Sequence, residues 1–139
     1  MIQRIQSIWL VLAAAAAFLT LRFSFYSGNK IGVDQMPRFT SLVASSNIGL
    51  LILTVAVGVA SLIAVFLYKN RKLQLRIVLA TMLISLLNIV LYYNQTLHFV
   101  VGKYDLTALV ALAVPVCLLL AARGIYKDQK LVKSLDRLR

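Results

Sequence analysis

The chain contains no glutamate and only four acidic residues, against 15 lysines and arginines. It also has a single histidine, His98, and a single cysteine, Cys117. One cysteine excludes a disulfide within the chain. His98 lies between two apolar runs and Cys117 lies deep inside one of them, so the two cannot form a catalytic Cys–His pair. We therefore expect no catalytic residue, no cofactor and no metal site.

Apolar residues, in contrast, are abundant. Hydrophobic residues make up 61% of the chain and charged residues 14%, against roughly 45–50% and about 25% in soluble globular proteins. A soluble domain of 139 residues could not bury so much apolar surface, because small domains bury the smallest share of their surface. A lipid bilayer can cover that surface instead. The composition therefore indicates an integral membrane protein.

Four apolar runs carry almost no charge, and each approaches the roughly 20 residues that a helix needs to cross a bilayer. We expect an all-α integral membrane protein of one domain, with four transmembrane helices and a C-terminal amphipathic cytoplasmic helix. Within the domain 1–139, the expected spans cover about 8–25, 48–68, 77–93 and 106–122, with an outer loop at 26–47 and a cytoplasmic tail at 123–139.

The first apolar run has two interpretations. Ile8–Leu21 has 14 residues and includes the alanines at 13–17, a length and composition that also fit a cleaved signal peptide. Alternatively, Arg22 extends its charged end to the membrane surface, and a helix that continues to Phe25 nearly crosses the bilayer. We favour the retained helix.

The distribution of basic residues predicts the orientation. One side of the membrane would carry 11 of them and the other side four, which are Arg22, Lys30, Arg38 and Lys103. The connections are short enough for the positive-inside bias to operate. We therefore expect a protein of the bacterial inner membrane with both termini in the cytoplasm. The 11 cytoplasmic residues would be Arg4, Lys69, Arg71, Lys72, Arg76, Arg123, Lys127, Lys130, Lys133, Arg137 and Arg139.

The tail is amphipathic when it is wound as a helix. Its basic face would contact anionic lipid head groups or a partner protein. Asp128 falls within the apolar arc, where it could pair with Arg71, Lys72 or Arg76 and dock the tail on its own protein. A net charge of +11 also fits nucleic acid, but basic residues that flank apolar runs favour lipid, and no nucleic acid is expected. The expected contact residues are Lys127, Asp128, Lys130, Lys133 and Arg137.

Small and polar residues recur at helical spacing within the second and third spans. Such side chains let helices approach closely and form hydrogen bonds between them. Because only eight residues, Lys69–Arg76, join the two spans, we expect an antiparallel pair with Gly58 level with Asn88. The alternative is that the same residues line a polar pore. The expected packing seam consists of Thr54, Gly58, Ser61, Thr81, Ser85 and Asn88.

The outer loop also has two interpretations. Apolar residues alternate on both sides of Ser27-Gly28-Asn29, which could form the turn of a small hairpin. The other interpretation is a disordered loop. The alternating residues are Phe23, Phe25, Ile31 and Val33.

Both ends of the chain resemble a known family. Met-Ile-Gln-Arg-Ile-Gln-Ser at 1–7 precedes an apolar run, and Lys-Asp-Gln-Lys-Leu-Val-Lys-Ser-Leu-Asp-Arg-Leu-Arg stands at 127–139. These segments resemble an uncharacterised Bacteroidota family of small four-span inner-membrane proteins, classed as a domain of unknown function. The resemblance implies four helices in an inner membrane and a retained first helix. It supplies no activity, substrate or catalytic residue.

These features favour an accessory, scaffolding or regulatory protein over a catalyst, with the cytoplasmic tail as its contact surface. A transporter or channel subunit is the first alternative, and it needs a water-accessible path, completed by oligomerisation, along Ser61, Ser85 and Asn88. A membrane-embedded enzyme is the second. It needs clustered ionisable groups, and the second to fourth spans contain none. Besides the lipid bilayer, another membrane protein or a second copy of the chain is an open partner.

Overall fold

A computed structural model of the protein describes residues 2–32 and 35–137, without the side chains of residues 2–4 and 135–137. Most of this part of the chain is helical, and a small sheet lies at one end of the helices. The elements are α1 (Ile2–Leu19), β1 (Tyr26–Ile31), β2 (Pro37–Leu42), α2 (Ile48–Phe66), α3 (Arg71–Thr96), β3 (Phe99–Tyr104) and α4 (Ala108–Arg137), with short 3-10 turns at Ala44–Ser46 and Leu67–Lys69.

Three of the helical segments are long and apolar enough to cross a membrane. They are Ile48–Lys69 with 22 residues, Arg71–Thr96 with 26 and Ala108–Ser134 with 27. The first helix is shorter, and its described apolar part is Ile5–Leu19. All four helices pack into one bundle, in which α1 contacts α4 more extensively than any other pair does.

The first helix ends at Leu19 and does not continue to Phe25 as expected. The Thr20 hydroxyl donates a hydrogen bond to the Ala17 carbonyl at 2.7 Å. The amides of the next two residues bond to carbonyls three residues back, which tightens the last turn and ends the helix. Arg22 is therefore outside the helix and exposed.

The alanine run that also fits a signal peptide is a packing surface in this fold. Ala13, Ala14 and Ala17 are buried in the bundle. Near the other end of the same helix, a Cβ built on Gly124 of α4 would lie 2.9 Å from Cγ of Gln6. Small residues on facing helices allow such close approach. The first helix is thus an integral part of the bundle.

The expectation of a separate amphipathic helix for the tail is wrong, because α4 is one helix of 30 residues from Ala108 to Arg137. Two contacts account for its continuity. Ile125 is fully buried in the bundle core, and Asp128 forms an ion pair with Arg71 of α3. The segment beyond residue 122 therefore continues α4 and contacts α3 through Asp128.

The three-stranded antiparallel sheet, in the order β2-β1-β3, corrects the all-α expectation. A hairpin forms in the outer loop, but Ser27-Gly28-Asn29 lies inside β1. The chain instead reverses between Gly32 and Met36, where Gln35 has a φ of 56°; Val33 of the expected alternation lies outside the described residues. Flanking strands on both sides supply the hydrogen bonds that hold the turn-forming residues extended.

Polar and aromatic contacts attach the sheet to the bundle. The hydroxyls of Ser24 and Ser27 both donate to the Asp105 carboxylate, just before α4. The Asp105 amide donates to the Phe25 carbonyl at 3.2 Å. The Phe25 ring stacks on Tyr92 of α3 with 4.7 Å between the ring centres. The sheet is therefore fixed at the end of the bundle where α1 and α3 finish.

We expect Gly28→Ala to disrupt the pairing of β1 with β3. Gly28 lies directly opposite Gly102, and a Cβ on it would stand 2.3 Å from the Val101 carbonyl oxygen, which is backbone. Such overpacking costs about 1–3 kcal/mol of unfolding free energy. Hydrogen exchange of the β1 and β3 amides and thermal unfolding in detergent measure the effect.

Gly32→Ala is the matched control, since the nearest atom to its new methyl group would be 3.7 Å away. It should change neither measurement. Equal effects of the two substitutions would contradict the close approach of β1 and β3.

Candidate functional site

The buried face of α3 is mostly polar. Leu83, Leu87 and Val90, on its other faces, are 54–65% exposed. A water-soluble helix has the opposite arrangement, because its apolar stripe faces the core. The surface of α3 therefore suits an apolar solvent, and its polar groups face the inside of the bundle. The buried residues are Gln74, Val78, Thr81, Ser85, Asn88, Tyr92 and Thr96.

Asn88 forms a hydrogen bond between α3 and α2. Its Nδ2 donates to Oγ1 of Thr54 at 3.0 Å, and both side chains are buried. The sequence analysis expected Gly58 opposite Asn88, so the observed partner on α2 is displaced by about one helical turn. The shift arises because α3 begins at Arg71, which makes the connection shorter than the predicted eight residues.

The other four seam residues are buried, but they do not join α2 to α3 by hydrogen bonds. Gly58 faces α1: a Cβ built on it would lie 2.8 Å from Cζ of Phe18. The three hydroxyls donate to carbonyls of their own helices, at 2.7 Å from Ser61 to Val57, 2.8 Å from Thr81 to Ile77 and 2.7 Å from Ser85 to Met82. Gly58 therefore leaves room for a neighbouring helix, and the three hydroxyl groups are buried with their hydrogen bonds already formed within their own helices.

Gln74 is a cross-helix residue that the sequence analysis missed. Its Nε2 donates to the Ala64 carbonyl of α2 at 2.8 Å, and the side chain is 3% exposed. Gln74 was not predicted to lie in the bundle because the third span was expected to begin at Ile77. The signal was present, since Gln74 extends the stripe of Thr81 backwards through Val78 at the same helical spacing.

A small cavity lies where the four helices meet near the sheet. Its volume is about 10 Å³, close to what the centre of one water molecule requires. Ser85 and Asn88 line it, but Ser61 does not, so it does not extend along the whole predicted polar path. The lining residues are Ala17, Thr20, Thr54, Val57, Ser85, Asn88, Ile89, Tyr92, Ala111 and Val114.

A much larger basic cleft opens at the opposite end of the bundle, with a volume of about 1090 Å³. It lies between the start of α3 and the extension of α4. Of the predicted contact residues, Lys130 and Lys133 line the cleft, Lys127 is exposed elsewhere, and the side chain of Arg137 is outside the described part. The six lining cations are Lys69, Arg71, Lys72, Arg76, Lys130 and Lys133.

The ion pair beside the cleft joins the two helices that form it. Arg71 Nη1 lies 3.5 Å from Asp128 Oδ2. Asp128 thus pairs with one of the three cations that the sequence offered it. The pair neutralises one cation and holds the α4 extension against α3, so Lys130 and Lys133 stay opposite the remaining cations.

The N-terminus of α3 adds to the positive potential of the cleft. No side chain caps the helix at Asn70, and its first turn contains no acidic residue. The first amide groups and the helix dipole therefore add partial positive charge at this end of the helix. Arg71 and Lys72 add full charges at the same place. An anion is the natural complement of such an arrangement.

The single histidine and the single cysteine lie outside both of these regions. His98 is exposed and Cys117 is half-buried within α4. In residues 2–32 and 35–137, no group of three or more histidine, cysteine or acidic side chains is arranged to hold a metal ion. The two candidate sites are therefore the polar seam with its cavity and the basic cleft.

The fold and these sites define a small, mostly helical protein with three helices able to cross a membrane and a polar seam between α2 and α3. Its sequence matches the Domain of unknown function (DUF4293) over residues 2–138, and the chain belongs to that family. No curated protein and no solved structure matches the chain.

We expect Thr54→Val to destabilise the bundle more than Thr81→Val does. Both substitutions replace a buried hydroxyl by a methyl group, but only Thr54 bonds across helices. Loss of such a bond in a membrane bundle costs about 0.6 kcal/mol and at most roughly 1.7. Thermal unfolding in detergent compares the two variants. Equal decreases in melting temperature would contradict the prediction that the Asn88–Thr54 bond stabilises the contact between α2 and α3.

Proposed function

We propose that this is a four-span protein of a bacterial inner membrane, of the Bacteroidota type that its termini resemble, with both termini in the cytoplasm. It acts as an accessory, scaffolding or regulatory component. The basic cleft is its working surface and anionic lipid head groups are the ligand. The gathering of six cations around one cleft, five from α3 and α4 and Lys69 from the turn before α3, carries the proposal.

The first helix is the fourth proposed span. Its 18 residues are about 27 Å long at roughly 1.5 Å per residue, against a hydrocarbon core of about 30 Å. Ile8, Val11 and Leu12 on its outer side are 47–55% exposed. An apolar outer side and buried alanines suit a helix between lipid and the bundle, and slight thinning of the bilayer accommodates the missing length.

The position of the cleft favours lipid as its ligand. Tyr68 and Tyr126 are 48% and 63% exposed at this end of the bundle, and tyrosine is enriched at membrane interfaces. The cleft would then lie at the level of the head groups. Basic pockets between helices on the cytoplasmic side suit anionic head groups. An acidic segment of another membrane protein, or of a second copy, is the competing ligand, and no nucleic acid is involved.

The two other function classes receive less support. A transport path would follow the polar seam, but the cavity there has about 10 Å³ and is not lined by Ser61. A path through the protein would therefore need a second copy of the chain. For a non-catalytic role, the support is that, among the described residues, no acidic, basic or histidine side chain lines the cavity among the helices.

Thiol labelling tests the orientation. In a Cys117→Ala background, Gln3→Cys, Asn70→Cys and Ser134→Cys should resist a membrane-impermeant reagent in intact cells, because positive-inside bias assigns these positions to the cytoplasm. Asn29→Cys in β1 should react. Labelling at residue 134 without labelling at residue 29 would indicate the opposite orientation and contradict the proposal.

Lipid titration tests the cleft. In native mass spectrometry at low ionic strength, Lys130→Gln/Lys133→Gln should weaken binding of phosphatidylglycerol to the detergent-solubilised protein. A basic residue near anionic lipid contributes about 1 kcal/mol, so losing two should weaken binding roughly 30-fold.

Lys30→Gln/Lys103→Gln is the matched control, since it removes two exposed lysines at the sheet end. It should leave the affinity unchanged. Equal weakening in both variants would show that lipid binding depends on the net charge of the protein and not on the cleft. Unchanged lipid binding, combined with loss of an acidic protein from affinity purification of Lys130→Gln/Lys133→Gln, would favour the partner protein as ligand.

A further inference from the structure

The cavity among the four helices contains two polar atoms without a partner. Oδ1 of Asn88 and the hydroxyl of Tyr92 are buried and form no hydrogen bond with any described residue. Both residues line the cavity, and their side chains are 9% and 1% exposed. A polar atom removed from water without a partner is costly. Two such atoms around one small space indicate that something polar occupies it.

The hydroxyl of Tyr92 is held in this position by its ring. The ring stacks on Phe25, with the centres 4.7 Å apart, at the junction with the sheet. The hydroxyl lies beside those of Thr20 and Thr54, but it has a hydrogen bond of normal geometry to neither. The Thr20 hydroxyl donates to the Ala17 carbonyl at 2.7 Å, so it could serve Tyr92 only as an acceptor. The geometry provides no such bond, and the Tyr92 hydroxyl has no direct partner among the described residues.

One water molecule fits both the size and the chemistry of the space. The volume of about 10 Å³ is near the smallest that holds a water, and buried waters typically form about three hydrogen bonds. Thr54 accepts a bond from Asn88 and keeps its own proton for another acceptor. Three groups can thus face the water: the Asn88 oxygen as acceptor, and the Tyr92 and Thr54 hydroxyls as donors. A hard cation would favour carboxylates, and none lines the cavity.

We propose that this cavity is a binding site for a single structural water that bridges Asn88 and Tyr92 on α3 to Thr54 on α2. The water donates to Oδ1 of Asn88 and accepts from the two hydroxyls. It adds a second link to the direct Asn88–Thr54 bond. It also fixes the Tyr92 ring on which Phe25 and the sheet are stacked. This inference stands apart from the basic cleft and from the orientation in the membrane.

A structure at a resolution that reveals ordered water tests the site directly. One oxygen peak is expected within about 2.5–3.0 Å of both Oδ1 of Asn88 and the hydroxyl oxygen of Tyr92. An empty cavity would overturn the proposal, and so would a direct bond from Tyr92 to Thr20 or Thr54. A peak with the short, numerous contacts of a metal ion would overturn it as well.

A double-substitution cycle provides a second test, in the full chain in detergent. Tyr92→Phe removes one oxygen and keeps the stacked ring, so it should lower the melting temperature. In an Asn88→Leu background, where the water has lost an acceptor, that decrease should fall to about half or less. Equal decreases in both backgrounds would overturn the bridge.

Tyr93→Phe is the matched control, because Tyr93 is the next residue on α3 and is 58% exposed. It should have the same small effect with and without Asn88→Leu. If Asn88→Leu does not fold, Thr54→Val replaces it, since that change also removes a partner of the water. The same halving of the Tyr92→Phe effect is then expected.

Discussion

The stacking of Phe25 on Tyr92 connects the two parts of this protein. Phe25 belongs to the segment that enters the sheet, whereas Tyr92 belongs to the polar stripe of α3. Stacked aromatic pairs contribute about 0.5–1.5 kcal/mol beyond the area they bury. The contact aligns the sheet with the bundle and directs the Tyr92 hydroxyl into the space where the four helices meet. Asn88 and Thr54, which are joined by a hydrogen bond, form part of the wall of that space.

Cohesion between the helices depends on small and polar groups because their outer surfaces are apolar. In lipid, burying a leucine against another helix gains little over leaving it in the bilayer. Alanines on α1 and Gly58 on α2 allow close approach, while Asn88 and Gln74 bond across to α2. Most hydroxyls of the stripe bond to their own helices, so they are tolerated inside and add little cohesion. Such an interior suits a stable structural unit better than a wide transport path.

The two ends of the bundle differ in charge for a structural reason. Continuation of α4 past residue 122, with Asp128 paired to Arg71, holds Lys130 and Lys133 opposite the cations of α3. Like charges held together repel, and the repulsion is relieved when an anion enters. The sheet end has four cations, two of which, Lys30 and Arg38, stand opposite each other on β1 and β2. The basic cleft is therefore produced by helix packing, and it is the feature that most favours an anionic ligand.

Helical spacing by itself determined much of this protein. The period of a helix sorts its residues into faces, so Thr54, Ser61, Thr81, Ser85 and Asn88 were each expected on a packed face, and all five are buried. The positions of the basic residues relative to the apolar runs likewise needed no structure. Length and composition indicated the long apolar helices, and the charge of Asp128 suggested its pairing with the loop.

Tertiary packing decided the rest. The residue of α2 that lies opposite Asn88 depended on where α3 begins, which local sequence does not specify. Ser27-Gly28-Asn29 has the composition of a turn, yet it is held extended because β3, some 70 residues later, pairs with it. The tail is amphipathic in either arrangement, and burial of Ile125 together with the Asp128–Arg71 pair selected the continuous helix. Local periodicity assigns a residue to a face, but its partner across that face depends on contacts between elements distant in sequence.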